Sequence, residues 1–351
     1  MKQYFEIGHR KIGPGKPVFI VAEISANHQQ DFAEATAIIA AAKQSGADAV
    51  KLQTYTPDTI TIRSDRDWFK VKGGTIWDGR TLYDLYKEAY TPWEWHPRLK
   101  EAAEKNGLVF FSTAFDPTSV DFLEDLGVLV HKIASFELVD TPLIERVART
   151  GKPLILSTGM ATFEEITEAV SCARQRGATQ IALLKCTSAY PAPPEEMHLR
   201  TIPHLAQAFD CAVGLSDHTL GIAAAVASVA LGACLIEKHF TLSRSKGGPD
   251  AAFSLEPAEF KAMVDAVREG EKALGSVQYG VEAEGSKSHR FRRSLFVVED
   301  VRRGELFTHR NVRSIRPSDG LPPKYEKDVL GRRAACDIVK GEPLRWEMIL
   351  E

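Results

Sequence analysis

Eight times along this chain a short run of Val, Ile and Leu gives way to a stretch of helical pattern. The runs occupy residues 18–25, 49–55, 109–115, 130–136, 154–160, 181–188, 212–219 and 234–241. They are nearly continuously apolar, as parallel strands covered on both faces are. The stretches between them, such as 32–45, 164–176 and 257–274, carry Ala, Glu and Leu at spacings that suit amphipathic helices. Eight βα units in about 260 residues predict an α/β fold, a closed (β/α)8 TIM barrel. An open doubly wound sheet is the alternative, but no G-x-G-x-x-G turn follows the first run.

The connection at 56–90 is too long for a simple turn and carries Trp68, Phe69, Trp77, Tyr83 and Tyr86. Loops of that length are usually functional lids or disordered, and so many aromatics argue for a lid. After residue 275 the alternation breaks into a polar stretch at 282–289. The expected division is a barrel domain at 1–280, a linker at 281–290 and a small β-rich domain at 291–351. That last part contains an echo: DVRRGELFTHRNV begins at Asp300 and DIVKGEPLRWEMI at Asp337, 37 residues apart. Two related turn-and-strand units are predicted. About 60 residues is marginal for a stable fold alone, so this domain is expected to lean on the barrel or on another subunit.

The charge balance, 44 basic against 47 acidic residues for a net of −3, supplies no phosphate-binding field. Nucleic acid is therefore not an expected partner, and the basic run HRFRRS at 289–294 reads as a solvated or inter-subunit face. No apolar run approaches the roughly 18 residues a membrane helix needs, and the first ten residues lack the apolar core of a signal peptide. A cytoplasmic protein with no membrane partner is expected. The five cysteines are scattered, with no C-x-x-C pair, and are read as reduced.

In a (β/α)8 barrel the catalytic groups sit at the C-terminal ends of the strands. The polar residues there are Glu23 and His28; Lys51 and Gln53; Ser112 and Thr113; Lys132, Ser135 and Glu137; Ser157 and Thr158; Lys185, Thr187 and Ser188; Ser216, Asp217 and His218; and Glu237, Lys238 and His239. Any one of them can be a buried, satisfied barrel residue. Lys51 and Lys132 with Thr113, Ser135, Ser157 and Ser216 offer cations and hydroxyls to a small anion bearing phosphate and carboxylate. His218 and His239 end adjacent strands, where two imidazoles either meet at one metal ion or serve as hydrogen-bonded barrel residues. A two-ligand site would be open to Lewis-acid chemistry on a carbonyl oxygen.

These motifs resemble the sialic acid synthase family, enzymes that condense phosphoenolpyruvate with an N-acylated amino sugar. The match runs through AEISANH (22–28), KLQTY (51–55), FSTAFD (111–116), KIASFE (132–137), LSTGM (156–160), CTSAYPAP (186–193), GLSDHT (214–219), IEKHFT (236–241) and GGPDAAFSL (247–255). SIRPSDG (314–320) is similar to the signature of the antifreeze-protein-like (SAF) domain that closes these enzymes. The resemblance implies that His218 and His239 bind a divalent metal, typically manganese, with magnesium or cobalt as alternatives. It implies that Lys51, Thr113, Lys132, Ser135, Ser157 and Ser216 hold phosphoenolpyruvate, and that Glu23, Gln53, Glu137, Tyr190 and Asp250 face the sugar. Arg316 would reach the partner's site in a domain-swapped homodimer. Ser188, a candidate substrate-binding residue, stands where many members carry Asn, a departure from the family's pattern at one ligand contact.

Within the family, the segments at 77–95, 183–196 and 291–301 look most like the pseudaminic acid synthase branch, whose sugar is 2,4-diacetamido-2,4,6-trideoxy-L-altrose. Its methyl groups call for a more aromatic pocket, and Trp68, Trp77, Trp93 and Trp95 all lie in or just after the long second connection. In the mechanism the resemblance implies, the metal polarises the open-chain aldehyde, phosphoenolpyruvate attacks it, and Lys51 and Lys132 offset charge. Glu137 is the candidate for proton transfer. The alternatives are an N-acetylneuraminate or legionaminate synthase, a barrel taking a sugar phosphate, and a non-catalytic sugar-binding protein. The second would need a further phosphate site of Arg and Lys, and the strand ends supply no Arg.

Overall fold

The computed structural model describes residues 4–279 and 288–350. They form two compact units, one ending at Gly275 and one beginning at Ser276. Most of the expected linker, 281–290, lies outside the described residues. Among the described residues no helix is long and apolar enough to cross a membrane.

The first unit opens with an antiparallel hairpin, β1 (Phe5–Ile7) and β2 (Arg10–Ile12). Eight parallel strands follow: β3 (Phe19–Glu23), β4 (Ala49–Thr54), β5 (Val109–Ala114), β6 (His131–Ile133), β7 (Leu154–Ser157), β8 (Ile181–Cys186), β9 (Ala212–Asp217) and β10 (Leu235–His239). Each pairs with the next, and β10 returns to pair with β3, which closes the barrel. The expected TIM barrel is therefore present with all eight strands in sequence order. Several strands are shorter than their apolar runs. The run at 130–136 contributes only His131–Ile133 to the ladder, because the residues after it leave the sheet to build the mouth.

Two apolar layers hold the barrel. One lies between strands and surrounding helices and includes Ile20, Val50, Leu52, Leu156, Leu183 and Ile236. The other fills the barrel's lower interior: Phe19, Val21, Ala49, Phe111, Ile155, Ala182, Leu184 and Leu235. Phe5, Ile7 and Ile12 belong to this inner cluster, so the hairpin floors the barrel at its N-terminal end. Period-two alternation along each strand separates the layers. It also determines which polar residues of the upper strand ends point inward.

The helices begin where capping chemistry directs. The first, α1 (Phe32–Gln44), starts after Asp31, whose carboxylate accepts from the Ala33 and Glu34 amides. The long connection at 56–90 contains two helices of its own, α2 (Pro57–Ile60) and α3 (Leu82–Ala89), the latter capped by Thr81. It is thus a structured insertion. Trp93 and Trp95 do not line the mouth: Trp93 packs on Phe122 and Trp95 on Phe32 and His28. Trp68 is 87% exposed. Of the four tryptophans of this region, Trp77 alone donates to Pro249 and packs beside Tyr190 and Phe253.

In the second unit, β11 (Ser294–Val297) pairs antiparallel with β12 (Val312–Ile315) around a core of Leu295, Val297, Phe307, Val312, Val329 and Leu344. The echo seen in the sequence is a local two-fold. Val301 and Ile338 exchange both backbone hydrogen bonds, and the paired bridges Phe296 to Pro343 and Leu306 to Arg333 mirror each other. Gly304 and Gly341, equivalent in the two copies, adopt φ of 84° and 99°, where any other residue would be strained.

Candidate active site at the barrel mouth

Strand parity turns Glu23, Lys51, Thr113, Lys132, Ser157, Cys186, Ser216, Glu237 and His239 into the upper barrel. At the centre, Lys51 Nζ lies 2.7 Å from Glu23 Oε2, 2.9 Å from Thr113 Oγ1 and 3.5 Å from Glu237 Oε1. Ser216 donates to Glu237 Oε1 at 3.2 Å. The second cation, Lys132, donates to Ser157 Oγ at 2.7 Å and to the Ile133 carbonyl at 3.0 Å. The lysines and their two carboxylates are almost completely buried.

Burial sets the charges of this cluster. It pushes Glu23 up to about 7 against the pull of Lys51. Burial also opposes ionisation of Glu237, but Lys51, Lys132 and His218 outweigh it and hold that carboxylate below its ordinary value. Lys51 stays above the usual lysine range: desolvation lowers it, and Glu23 and Glu237 more than compensate. Lys132 is lowered by burial. The interior therefore holds charge in tightly matched pairs, with Glu23 poised to carry a proton near neutral pH.

Ser135 and Ser188 meet at Gly159. The Gly159 amide donates to Ser135 Oγ at 3.1 Å, and a Cβ on Gly159 would fall 2.3 Å from Ser188 Oγ. Only glycine permits this approach. Ser188 Oγ, Glu237 Oε2 and Glu137 Oε2 are buried without a hydrogen-bond partner. Buried polar atoms left without a partner at the strand ends are the kind a ligand completes. Glu137 sits just beyond β6, and burial raises its carboxyl to about 7.

The two candidate metal ligands face each other, with ring centroids 5.4 Å apart. His218 Nδ1 donates to the Thr187 carbonyl at 2.9 Å, which leaves Nε2 as the nitrogen available to an ion. His239 Nδ1 is buried without a partner, and desolvation, with His218 nearby, keeps its ring neutral. Tyr190 and Phe253 wall the pair, with centroids 4.4 Å from His218 and 4.9 Å from His239 respectively. His239 is thus a neutral imidazole; desolvation opposes charge on His218 too, but Cys186 and the Thr187 carbonyl outweigh it and hold that ring above its ordinary value, so a divalent ion would take the place of its Nε2 proton. No group of three or more His, Cys, Asp or Glu side chains that could hold a metal occurs among the described residues, so the protein's share would be these two rings.

Most of the remaining candidates have partners of their own. Asp250 accepts from the Ser25 hydroxyl and the Ala26 amide, bracing the loop after β3. Gln53, two residues beyond Lys51 on the same face of β4, is partly buried at the strand's end. Arg316 is exposed after β12 in the second unit. His28 bonds Thr91 at 3.1 Å, and Ser112 joins Thr54 and His96 in a buried network. Both histidines, lowered by burial to about 4, are neutral struts. Thr158 donates to the Leu184 carbonyl, and Lys185 to that of Cys186. Two inward residues had been given no role. Glu237 is one. Cys186 is the other, its Sγ 3.8 Å from His218 Nδ1; burial raises its thiol, but His218 overcomes this and brings it to about 7. Their parity with His239 and Leu184 was the available signal.

Residues 38–279 match the NeuB family and residues 292–350 the SAF domain. A pseudaminic acid synthase of Campylobacter jejuni is 46% identical over 330 residues, spanning 94% of this chain and 96% of that protein. Another, from Helicobacter pylori, is 45% identical over 94% of this chain and 97% of its own length. The crystal structure of an N-acetylneuraminic acid synthetase from Leptospira borgpetersenii in complex with citrate superposes with a TM-score of 0.71 at 32% identity, covering 82% of this chain and 94% of that one.

Proposed function

Because the chain belongs to the NeuB family and ends in a SAF domain, we propose that it condenses phosphoenolpyruvate with 2,4-diacetamido-2,4,6-trideoxy-L-altrose, giving pseudaminic acid and phosphate. The buried Lys51 and Lys132 at the mouth of a parallel barrel, beside the hydroxyls of Thr113 and Ser157, carry this reading, since they offer cations and hydroxyl donors to a ligand bearing phosphate and carboxylate. The identity to pseudaminic acid synthases over nearly the whole chain supports the choice of sugar.

In the reaction, C3 of phosphoenolpyruvate attacks the aldehyde carbon of the open-chain sugar, and the aldehyde oxygen takes a proton to become a hydroxyl. Water adds at C2, and the tetrahedral intermediate loses phosphate by C–O cleavage to leave the 2-keto acid. Lys51 and Lys132 offset the carboxylate and phosphate charges, with Thr113, Ser135, Ser157, Ser188 and Ser216 as hydroxyl partners. Glu137, neutral up to about pH 7, supplies the proton. Glu23, Gln53, Tyr190 and Asp250 border the sugar. His218 and His239 would hold a divalent ion, manganese in this reading, which supplies Lewis-acid polarisation of a carbonyl oxygen.

The SAF domain, taken as 291–351 and joined to the 1–280 barrel by 281–290, brings Arg316 to the site of a partner in a domain-swapped homodimer. The βα loops support this: Ile62, Phe136, Met160 and Leu220 are exposed apolar side chains at the C-terminal end of the barrel. A cytoplasmic location agrees with the phosphoenolpyruvate requirement.

The experiment is phosphate release from phosphoenolpyruvate and Mn2+ with a panel of amino sugars. Turnover is expected with the diacetamido sugar, with a loss of about 10³-fold or more in His218→Ala or His239→Ala. Full activity in chelator would overturn the metal assignment. Mixing Arg316→Ala with His218→Ala protein should restore activity through hybrid sites, and no restoration would overturn the swap.

A further inference from the structure

Behind the two candidate metal ligands, on the outer side of the barrel wall, their chain neighbours are joined. Glu237 and His239 turn inward, so Lys238 between them turns outward, and Asp217 does the same beside Ser216. Lys238 and Asp217 are register partners on β10 and β9, and neither side chain has any exposed surface. Lys238 Nζ lies 2.8 Å from Asp217 Oδ2 and donates to the Thr219 carbonyl at 2.5 Å. The other carboxylate oxygen, Oδ1, accepts from the Thr219 amide at 2.9 Å and from its hydroxyl at 2.8 Å. The residues before and after His218 are thus tied to one ammonium, and that ammonium belongs to the residue before His239. The β9–β10 ladder stops at the Asp217–Lys238 pair, so His218 lies beyond it. Its own backbone is held by the Ala192 amide, which donates to the His218 carbonyl at 2.9 Å.

A buried ion pair is a poor stabiliser. Removing both charges from water costs about as much as their attraction returns, and apolar side chains of similar volume often serve equally well. What this pair provides is direction: a hydrogen-bonded carboxylate fixes the turn at Asp217–Thr219 in one geometry. We propose that the Lys238–Asp217 pair, closed by Thr219, is a positioning device that sets the separation and orientation of the His218 and His239 imidazoles. The inference rests on the reading of those two rings as a divalent-metal site.

The test uses the full chain and Mn2+ as the probe, with affinity read from the electron paramagnetic resonance signal of unbound ion. In Lys238→Met combined with Asp217→Leu, packing is kept and both charges are removed together. This variant should keep the thermal midpoint of the parent while its Mn2+ affinity falls about 10- to 100-fold, as for other residues that orient metal ligands. Thr219→Val leaves the ion pair and removes one hydroxyl, and should weaken Mn2+ binding by a smaller factor. Parental affinity in the folded double variant overturns the inference; if that variant does not fold, parental affinity in Thr219→Val does so. A parent protein whose Mn2+ binding is untouched by His218→Ala would overturn the metal reading and this inference together. Parental affinity in the variants alone would overturn only the inference.

Discussion

Asp300 and Asp337 close each other's turns. The Asp300 carboxylate accepts from the Lys340 amide at 2.8 Å, and the Asp337 carboxylate accepts from the Arg303 amide at 2.7 Å. The two copies of the echo are therefore interlocked. Asp300→Ala should accelerate hydrogen exchange at Lys340 roughly five- to tenfold, as loss of one hydrogen bond implies. Asp337→Ala should do the same at Arg303. Mass-spectrometric exchange on the intact protein reads both, and unchanged rates would show that the carboxylates are incidental.

Lys51 is the counter-charge of two buried carboxylates, Glu23 and Glu237. Lys51→Met should lower stability at neutral pH by about 3–5 kcal/mol, the cost of leaving a buried charge unpaired. The loss should shrink as pH falls and the freed carboxylates take up protons. Glu23→Gln in the same chain should recover part of it. Urea denaturation of the three proteins at pH 5.5 and 8 checks this, and equal loss at both pH values would refute it.

Glu137 is raised by burial from about 4.5 to about 7. Because the folded value is the higher one, its contribution to stability is fully present below the unfolded value and is lost as pH rises through about 7. The same proton is the one the reaction needs, so kcat/KM should fall as pH rises through 7. Glu137→Gln should lower kcat/KM by about 10²–10⁴ and remove that limb. A falling limb that survives in the Gln variant would assign it to another group, Glu23 being the next candidate.

Trp77 is the tryptophan of the long insertion that reaches Tyr190 and Phe253. Trp77→Ala should reduce kcat/KM for the diacetamido sugar about tenfold, the scale of one lost aromatic contact, and Trp68→Ala should leave it within about twofold. N-acetylmannosamine would leave hydroxyls unpaired against this wall, each costing about 1–3 kcal/mol. A preference of about a hundredfold against it follows. Equal kcat/KM for the two sugars would move the substrate to that of the N-acetylneuraminate or legionaminate synthases.

The barrel was legible because parallel strands buried on both faces leave unbroken apolar runs, and eight of them alternate with helices. The candidate site was legible in kind, as polar residues at the strand ends. What the unbroken apolar runs mask is the strand parity that decides which polar residues look inward. Glu237, Lys238 and His239 are consecutive, yet the middle one belongs to the outer wall. His28 and Ser112 likewise serve outer networks, since a hydroxyl or imidazole beneath a helix needs partners as much as one in a cavity does. The tryptophans misled for a related reason: an indole is spent as readily on packing α-helices, as Trp93 and Trp95 are, as on lining a pocket. Helix α3 was hidden because its pattern is short, and its amphipathic face became evident only against the barrel.

The hairpin that floors the barrel has a consequence for the order of folding. Phe5, Ile7 and Ile12 share their cluster with Leu235 and Cys234, more than two hundred residues later. The cluster beneath the barrel draws on strands from β3 to β10, so the floor is complete only once β10 has paired with β3. Closure of the ring and seating of the floor are one late event, dominated by contacts of long sequence separation, which are slow to form.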